Sequence, residues 1–352
     1  MKIAVYTIAL NEEQFVSPWF ESAKEADYLL IADTGSSDNT VALARELGIK
    51  VIPVHISPWR FDDARNAALA ALPSDVDLCV ALDMDEQLQP GWREILEALP
   101  KDVTRPRYKY TWSWNDDGTE GLTYGGDKIH ARSGYRWKHP VHEIITSTKE
   151  ETQHWCGLEI HHHPDSSKSR SQYFNLLELA KSESPDCDRT AFYYARELFF
   201  HGRLDEAAVE FQRHLALPKA VWQPERAASM RYLAKCGVDP EYWLLRACAE
   251  YSDGREPWVD LAEYYYKMGL WKKVITACDN AFAVIVKPLQ YLCEADAWGS
   301  KPHDLLAVAY WNMGDFENAK LHGILAADLS PADERLAKNL SFYNASSNEE
   351  SI

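Results

Sequence analysis

Several features are missing from this sequence, and each absence narrows the class of protein. Its seven cysteines are odd in number and contain no CxxC pair, which predicts reduced thiols and no disulfide framework. No apolar run approaches the roughly 18 residues that a membrane helix needs. The opening segment, MKIAVYTIALNEE, is too short and too soon acidic for a signal peptide. We therefore expect a cytoplasmic protein without a membrane span.

Positive charge is also scarce. The chain has 37 lysines and arginines against 54 aspartates and glutamates, a formal net charge of −17. This balance disfavours partners that are bound mainly through negative charge, such as duplex DNA or an anionic membrane surface. It leaves room for a nucleotide in a local pocket. With 352 residues, 46% apolar and 12% aromatic, the chain is long enough for two packed globular domains.

The first hundred residues alternate short apolar runs with amphipathic segments, which predicts a parallel α/β sheet. The absence of GxGxxG after the first apolar run argues against a dinucleotide-binding site. The predicted strands are Lys2–Leu10, Tyr28–Ala32, Lys50–Val54 and Leu78–Leu82. Helices are predicted to start at Ser17-Pro18, at Ser37 or Asp38 (ending at Gly48), and at Asp62 or Asp63. Residues 101–163 are expected to form strands and loops that complete this domain.

Polar clusters fall at the ends of the predicted strands, where ligands collect in sheets of this kind. Asp83 and Asp85 follow the fourth strand and are two residues apart, so both carboxylates can point to one side. Carboxylates held this close favour a hard cation such as magnesium or manganese, which also binds phosphates. A plain acidic turn that caps the next helix is the alternative interpretation.

The second half of the sequence is helical and repetitive. Three segments place a small residue seven positions before a glycine: Ala195 and Gly202, Ala262 and Gly269, Ala307 and Gly314. This pattern resembles the tetratricopeptide helix-turn-helix repeat, in which small residues let paired helices approach closely. The uneven spacing predicts a degenerate unit around 223–252 and an insertion near 284–302.

The motifs IALNEE, IADTGSSDNT, FDDARNAAL and ALDMDEQL occur in an order and spacing that resemble the family 2 glycosyltransferases. With RWKHPVHE and IHHHP downstream and helical repeats at the end, the sequence is similar to bacterial and phage members that carry a tetratricopeptide tail. The resemblance implies an α/β domain of GT-A fold, with a Rossmann-like mixed sheet, followed by an all-α repeat domain. From the residue pattern we expect boundaries of 1–165 for the GT-A domain, 166–172 for a linker, 173–345 for the repeats and 346–352 for a polar tail.

The resemblance also implies a role for particular residues at the strand ends. Asp33 is expected to contact the base, Arg65 the base and diphosphate, and Asp83 the ribose and metal. Asp85 is expected to bind the metal, Mn²⁺ or Mg²⁺, directly. The residues expected to border the nucleotide-sugar are Thr7, Ala9, Asn11, Glu12, Asp33, Arg65, Asp83 and Met84. Uridine diphosphate is the commonest nucleotide in relatives, so a UDP-sugar is the expected donor.

Some of these residues also have simpler interpretations. Asp33 is compatible with a turn, Arg65 with a surface charge, and Glu12 with the first turn of a helix. The resemblance implies a histidine as a further metal ligand among residues 161–163. Along a strand, residues 161 and 163 lie on one face and residue 162 on the other. The sequence does not show which face points to the metal, and we favour His163.

An inverting transferase needs a general base that takes the acceptor's proton. Glu143 is the first candidate, and Asp116 and Asp117 are competitors that also fit a turn. The expected function is therefore a metal-dependent, inverting sugar transfer from a nucleotide-sugar to an acceptor.

The acceptor stays open between a glycan, a peptide or protein side chain, and a modified nucleobase. The repeats are expected to recruit the acceptor, a partner or a second copy of the chain as a homodimer. The alternative is an inactive nucleotide-sugar-binding scaffold that works through its repeats. A nucleotidyltransferase is disfavoured, because no glycine-rich, lysine-bearing loop follows the first strand.

Overall fold

The computed structural model describes residues 1–115, 117–165 and 173–346. The predicted linker 166–172, Asp116 and most of the predicted tail lie outside the described residues. The chain divides into two compact units, Met1–Glu183 and Ser184–Ile352. Helix Tyr173–Glu183, which the sequence analysis assigned to the repeats, therefore belongs to the first unit.

A five-stranded sheet forms the centre of the first unit. Its strands are β1 Ile3–Ala9, β2 Tyr28–Asp33, β3 Lys50–Pro53, β4 Leu78–Ala81 and β8 Ile129–Ala131. They lie in the order β3-β2-β1-β4-β8. The first four strands are parallel, as predicted, and β8 is antiparallel. Alternate residues of β1 pack into two different apolar clusters, because successive side chains point to opposite faces.

The helices of the sheet layer begin at positions that partly differ from the predicted ones. The predicted start at Ser17 is wrong, because the helix begins at Glu13 and contains Pro18. The backbone N–H of Glu13 donates to the Asp38 carboxylate (3.1 Å), which caps this helix from a distant part of the chain. The helices are α1 Glu13–Ala23, α2 Thr40–Glu46, α3 Phe61–Ala70 and α4 Trp92–Glu97.

The other two helix starts are closer to the prediction. Asp38 accepts a hydrogen bond from the Thr40 N–H (2.9 Å) at the start of α2. Asp62 and Asp63 lie inside the first turn of α3 and do not cap it. Carboxylates in a first turn still interact favourably with the helix dipole.

Residues 101–163 form strands and loops of the first unit, as predicted. The remaining strands are β5 Glu86–Leu88, β6 Arg105–Thr111, β7 Thr123–Gly126, β9 Tyr135–Lys138, β10 Ile144–Ser147 and β11 Gln153–His162, and α5 Tyr173–Glu183 ends the unit. A second sheet has the order β5-β11-β6-β7, and β9 pairs with β10. The end of β11 lies against β5, with His162 opposite Glu86.

The second unit is a stack of tetratricopeptide-like helical hairpins. Its helices are α6 Asp188–Phe200, α7 Leu204–Ala216, α8 Gln223–Lys235, α9 Pro240–Glu250, α10 Arg255–Lys267, α11 Trp271–Ala283, α12 Ala295–Trp298, α13 Lys301–Asn312, α14 Phe316–Leu329 and α15 Glu334–Ser346. Ala195, Ala262 and Ala307 are fully buried, as the repeat pattern predicted. The degenerate unit is the hairpin α8–α9, and the insertion contains the short helix α12. Among the helices in the described ranges, none is long and apolar enough to cross a membrane.

Candidate active site at the carboxyl edge of the sheet

The loops that follow β1 and β2 are joined by hydrogen bonds. Asn11 adopts a left-handed backbone conformation (φ 54°), and its N–H donates to the Ser36 hydroxyl (2.9 Å). Its side-chain oxygen accepts a hydrogen bond from the Ser37 N–H (2.8 Å). The Glu12 N–H donates to the Thr40 hydroxyl (2.7 Å). The two predicted donor-binding loops therefore form one fixed rim of the sheet edge.

Besides Arg65, three of the predicted donor-binding residues are buried. Thr7, Ala9 and Met84 are at most 3% exposed. Met84 packs into the apolar cluster on one side of the sheet, and the Thr7 hydroxyl donates to the Ile8 carbonyl (3.1 Å). These side chains are covered by protein, so they support the site and do not form its exposed surface.

Asp33 ends β2 and acts as a turn former in the structure. Its carboxylate accepts hydrogen bonds from the N–H groups of Gly35 and Ser36, both at 3.2 Å. The side chain is only partly buried, so these turn contacts leave it at the surface of the site. The predicted contact with a base stays a prediction.

Arg65 is the centre of the site and is not a surface charge. It is 6% exposed and forms an ion pair with Asp83 (Nη2 to Oδ1, 2.7 Å). Its Nε donates to Oε1 of Glu143 (2.5 Å), whose side chain is 12% exposed. The structure therefore brings together a helix residue and two carboxylates that the sequence assigned to separate roles.

Lys128 completes this charge cluster. Its ammonium group contacts the second oxygen of Asp83 (2.7 Å) and Oε1 of Glu86 (3.0 Å). Burial opposes ionisation of Asp83, but the cations of Arg65 and Lys128 hold its pKa well below the usual range. Asp83 is thus an anion whose two oxygens are both engaged.

Glu86 supports the loop that carries the two aspartates. It is 1% exposed, and its Oε2 accepts the backbone N–H of Asp83 (2.9 Å). Its Oε1 also accepts the hydroxyl of Tyr110 (2.7 Å). Burial raises the pKa of Glu86. The side chain therefore holds the aspartate loop in place.

Asp85 faces His162 across the junction of β5 and β11. The His162 Nε2 lies 3.3 Å from the Asp85 Oδ2, and its Nδ1 lies 2.9 Å from the Trp112 carbonyl oxygen. A carbonyl only accepts hydrogen bonds, so Nδ1 carries the proton and the neutral ring turns the lone pair of Nε2 towards the carboxylate. Two electron-rich atoms at this distance require a cation between them, either a proton or a metal ion.

The pKa of His162 reflects the same geometry. Burial disfavours the charged ring, but the hydrogen bonds with Asp85 and Trp112 outweigh it and raise the pKa. His162 would bind a metal ion in its neutral form, with the ion in place of that proton.

His163, the favoured ligand in the sequence analysis, has different surroundings. Its ring is exposed and stacks on Trp114, with 6.2 Å between the centroids. Its backbone N–H, and not its ring, donates to the Asp85 carbonyl (2.7 Å). His162 is the histidine whose ring contacts the Asp85 carboxylate, because it shares the inward face of β11 with the buried Ile160.

The Asp85–His162 pair fits a divalent cation by its chemistry. Two ligand atoms that each lie about 2.1 Å from an octahedral ion are about 3 Å apart, close to the separation seen here. Carboxylate oxygen suits manganese and magnesium, and neutral imidazole is the commonest metal ligand among side chains. A different group, Glu120, Glu159 and His161, also has ligand atoms close together. The ammonium group of Lys109 already contacts Glu120 (2.7 Å), which makes this group a poorer cation site.

The competing general-base candidates are weaker than Glu143. Asp117 is exposed, and its carboxylate accepts the N–H (2.9 Å) and the hydroxyl (2.6 Å) of Thr119 in a turn. Asp116 lies outside the described residues. For Glu143, no hydrogen bond reaches Oε2 from any residue in the described part of the chain.

Sequence reasoning missed two residues of the site. Lys128 belongs to none of the recognised motifs, and only the pairing of β8 with β4 brings it to Asp83. His162 was visible as one of three histidines. Strand alternation, with apolar Ile160 facing the core, is the signal that favours it.

Comparisons with known proteins agree with this architecture. Among curated relatives, a lipopolysaccharide core biosynthesis glycosyltransferase of Rhizobium meliloti is 30% identical over 101 residues, which are 28% of this chain and 37% of that protein. A TPR repeat-containing protein of Synechococcus elongatus is 34% identical over 150 residues, 41% of this chain and 35% of that protein. The chain thus spans about a third of the length of these relatives.

Solved structures match parts of this chain at low sequence identity. A TPR protein of Thermus thermophilus covers 50% of this chain and 90% of its own, with 15% identity and a TM-score of 0.36. Glucosyl-3-phosphoglycerate synthase of Mycobacterium tuberculosis covers 37% of this chain and 57% of its own, with 20% identity and a TM-score of 0.28.

The family assignment depends on neither of these structures. A model described as glycosyl transferase family 2 matches residues 4–199, which contain the whole sheet edge described above. Because this match covers more than half of the 352 residues, the chain belongs to glycosyl transferase family 2.

Proposed function

We propose that this protein transfers a sugar from a nucleotide-diphosphate sugar to an acceptor with inversion at the anomeric carbon. The observation that carries the proposal is the convergence of two incomplete groups on one sheet edge. One is the Asp85–His162 pair, which requires a cation. The other is buried Arg65, whose Nη1 has no hydrogen-bond partner within the described ranges. A metal-bound diphosphate supplies what both groups lack.

The donor's diphosphate is the ligand that Arg65 is suited to hold. A guanidinium group binds phosphate oxygens through directed hydrogen bonds, and these bonds are strong in a buried setting. The rim formed by Asn11, Glu12 and Asp33 is the proposed place of the nucleoside, with uridine as the expected base. Asp83 is already neutralised by Arg65 and Lys128, so we propose that it orients these cations and the ribose.

Asp85 and His162 are the residues that would hold Mn²⁺ or Mg²⁺. When bound, such an ion neutralises charge on the departing diphosphate as a Lewis acid. The remaining work falls to side chains of this chain, which bind the donor, exclude water and accept the acceptor's proton.

Glu143 is the proposed general base. Arg65 fixes the direction of its carboxylate by binding Oε1, and this leaves Oε2 for the acceptor's hydroxyl or other nucleophilic group. As the nucleophile attacks the anomeric carbon, its proton passes to Glu143 and the bond to the diphosphate breaks. A single displacement of this kind inverts the anomeric configuration.

Glu143→Gln tests the base directly. Glutamine keeps an acceptor for Arg65 Nε but takes no proton, so the donor Kd should change by less than about threefold while transfer falls about 10²-fold or more. Titration calorimetry and release of nucleotide from a panel of nucleotide-sugars measure the two effects. Glu150→Gln, an exposed site, is the matched control. Unchanged transfer in Glu143→Gln would place the base elsewhere.

Asp85→Ala tests the proposed metal site. It should abolish metal-dependent donor binding and cleavage and leave the fold intact, because the Asp85 side chain is outside the apolar core. The wild-type chain separates the transferase from an inactive scaffold. If it binds the donor with metal but never transfers the sugar to water or to any other acceptor tested, the protein is a scaffold and not an enzyme. Acceptor recruitment by the repeats, a homodimer and a cytoplasmic location stay predictions.

A further inference from the structure

A buried chain of polar side chains lies beneath Arg65. The Trp137 Nε1 donates a hydrogen bond to the Tyr6 hydroxyl oxygen (2.8 Å). The same hydroxyl group lies 3.0 Å from the His130 Nε2, and the His130 Nδ1 lies 2.8 Å from the Ala131 carbonyl oxygen. All three aromatic side chains are at most 1% exposed. Tyr6 and His130 belong to none of the motifs that carry the family resemblance, whereas Trp137 is the tryptophan of RWKHPVHE.

The direction of this chain follows from its ends. The carbonyl of Ala131 only accepts, so the His130 Nδ1 carries the proton. Burial lowers the pKa of His130 to about 4, so the ring is neutral near pH 7 and its Nε2 accepts from the Tyr6 hydroxyl. The Tyr6 oxygen is then free to accept from Trp137. Each donor has one acceptor, which permits a single arrangement of the three side chains.

The indole of Trp137 is the last group in this series of hydrogen bonds, and the Arg65 guanidinium lies over its ring. The Arg65 Cζ lies 4.9 Å from the centroid of the Trp137 ring. Asn66, the next residue of α3, holds the Trp137 backbone through two hydrogen bonds, of 2.9 and 3.0 Å. Both the ring and the backbone of Trp137 are thus fixed relative to α3. A fixed indole limits the positions that a guanidinium lying over its ring can take.

The plane of the guanidinium decides where its remaining donor points. Nε and Nη2 are engaged by Glu143 and Asp83, and Nη1 has no hydrogen-bond partner within the described ranges. A buried donor without a partner costs free energy unless a ligand supplies an acceptor. The structure therefore keeps Arg65 in one orientation with one hydrogen-bonding group to spare.

We propose that Tyr6, His130 and Trp137 are positioning residues that orient Arg65 Nη1 towards an oxygen of the donor's diphosphate. This inference rests on the proposed function for the identity of the ligand. We assign them no contact with substrate, because they act through the guanidinium that lies over the Trp137 ring. If they served only to stabilise the core, changing them would lower stability and leave donor affinity unchanged.

Tyr6→Phe in the full-length chain tests the proposal. Phenylalanine keeps the ring but removes the acceptor of Trp137 and the donor to His130. The Kd for uridine diphosphate with Mn²⁺, or for whichever of GDP, ADP or CDP the wild type binds, should rise about tenfold. Tyr28→Phe, on the neighbouring strand at the opposite end of the sheet, should leave this Kd unchanged.

A double-mutant comparison distinguishes positioning from general loosening of the core. In an Arg65→Lys background, Tyr6→Phe should change the Kd by less than about twofold, because lysine has no plane for the indole to fix. His130→Gln, which can still accept from Tyr6, should bind the nucleotide nearly as well as wild type. His130→Leu should bind it as weakly as Tyr6→Phe. Equal losses from Tyr6→Phe in the wild-type and Arg65→Lys backgrounds would overturn the proposal.

Crystal structures of wild type and Tyr6→Phe decide the question without a nucleotide. The proposal expects the Arg65 guanidinium to rotate off the indole and lengthen its contacts with Asp83 or Glu143. An unmoved guanidinium overturns it. If the wild type binds no nucleoside diphosphate, the proposed function fails. The two crystal structures still show whether the hydrogen-bonded residues Tyr6, His130 and Trp137 orient Arg65.

Discussion

His162 and His163 are neighbours in sequence, but only one of them turns its ring to the Asp85 carboxylate. His162→Gln should weaken Mn²⁺ binding about 10- to 100-fold, because it removes one of two proposed protein ligands. His163→Gln should change Mn²⁺ affinity by less than about threefold, because its ring stacks on Trp114 instead. Titration of both variants with Mn²⁺, followed by electron paramagnetic resonance, measures the difference. The reverse order would restore His163 as the ligand.

His130 predicts a pH dependence of stability at the same scale. Its ring packs against Tyr6 and Tyr135, and the cations of Arg105 and Arg132 lie near it. The folded pKa of about 4 is below the ordinary value of 6.5, so the neutral ring stabilises the fold fully above pH 6.5. That stability, about 3 kcal/mol in all, is lost as the pH falls from 6.5 towards 4.

Urea unfolding of the first unit at pH 7 and pH 4.5 checks this prediction. His130→Gln is the control, because it keeps a hydrogen-bond acceptor but has no proton to gain. The wild type should lose more unfolding free energy between the two pH values than the variant does. An equal loss in both proteins would assign the pH dependence to the carboxylates.

At the scale of elements, the repeat hairpins turn on glycines in a left-handed conformation. Gly314, between α13 and α14, has φ 77°, and a Cβ added there meets no atom within 4 Å. Gly314→Ala should therefore lower the unfolding free energy by about 1 kcal/mol through backbone strain alone. Gly314→Asn should cost less, because asparagine tolerates this conformation better. Thermal unfolding of the two variants ranks them, and equal costs would contradict the strain argument.

Elements were predictable from sequence where their causes are local. The four parallel strands are apolar runs, and the hairpins repeat a small residue and a glycine, so both kinds of element could be predicted. The start of α1 could not be predicted, because its first amide groups are capped by Asp38 and Thr40 from the loop after β2. Lys128 was missed for the same reason, since sheet pairing alone brings it to Asp83. Arg65 and Glu143 were recognised separately, but their ion pair joins residues 78 positions apart.

At the scale of the whole molecule, helix α5 decides where the first unit ends. Its Glu183 pairs with Arg60 (2.8 Å), and its Tyr173 packs edge-on against Phe61 and His142. Phe61 starts the helix that carries Arg65, and His142 precedes Glu143. The helix therefore supports the two segments that supply the central ion pair.

A chain shortened to residues 1–183 should unfold cooperatively and bind donor with a Kd within about threefold of the full chain. A chain shortened to residues 1–172 lacks α5 and should melt about 5 °C lower or more. Calorimetry and donor titration of the two fragments check this. Equal melting temperatures would show that α5 adds nothing to the first unit.

The proposed metal site joins Asp85 to His162, two residues separated by 77 positions, at the last pairs between β5 and β11. Such a site does not exist until β11, the final strand of the unit, has docked. Contacts over long sequence separations form late in folding, because the intervening chain must first be ordered. Added Mn²⁺ should therefore slow unfolding and leave the refolding rate unchanged. The ion would then stabilise the folded sheet without helping it to form.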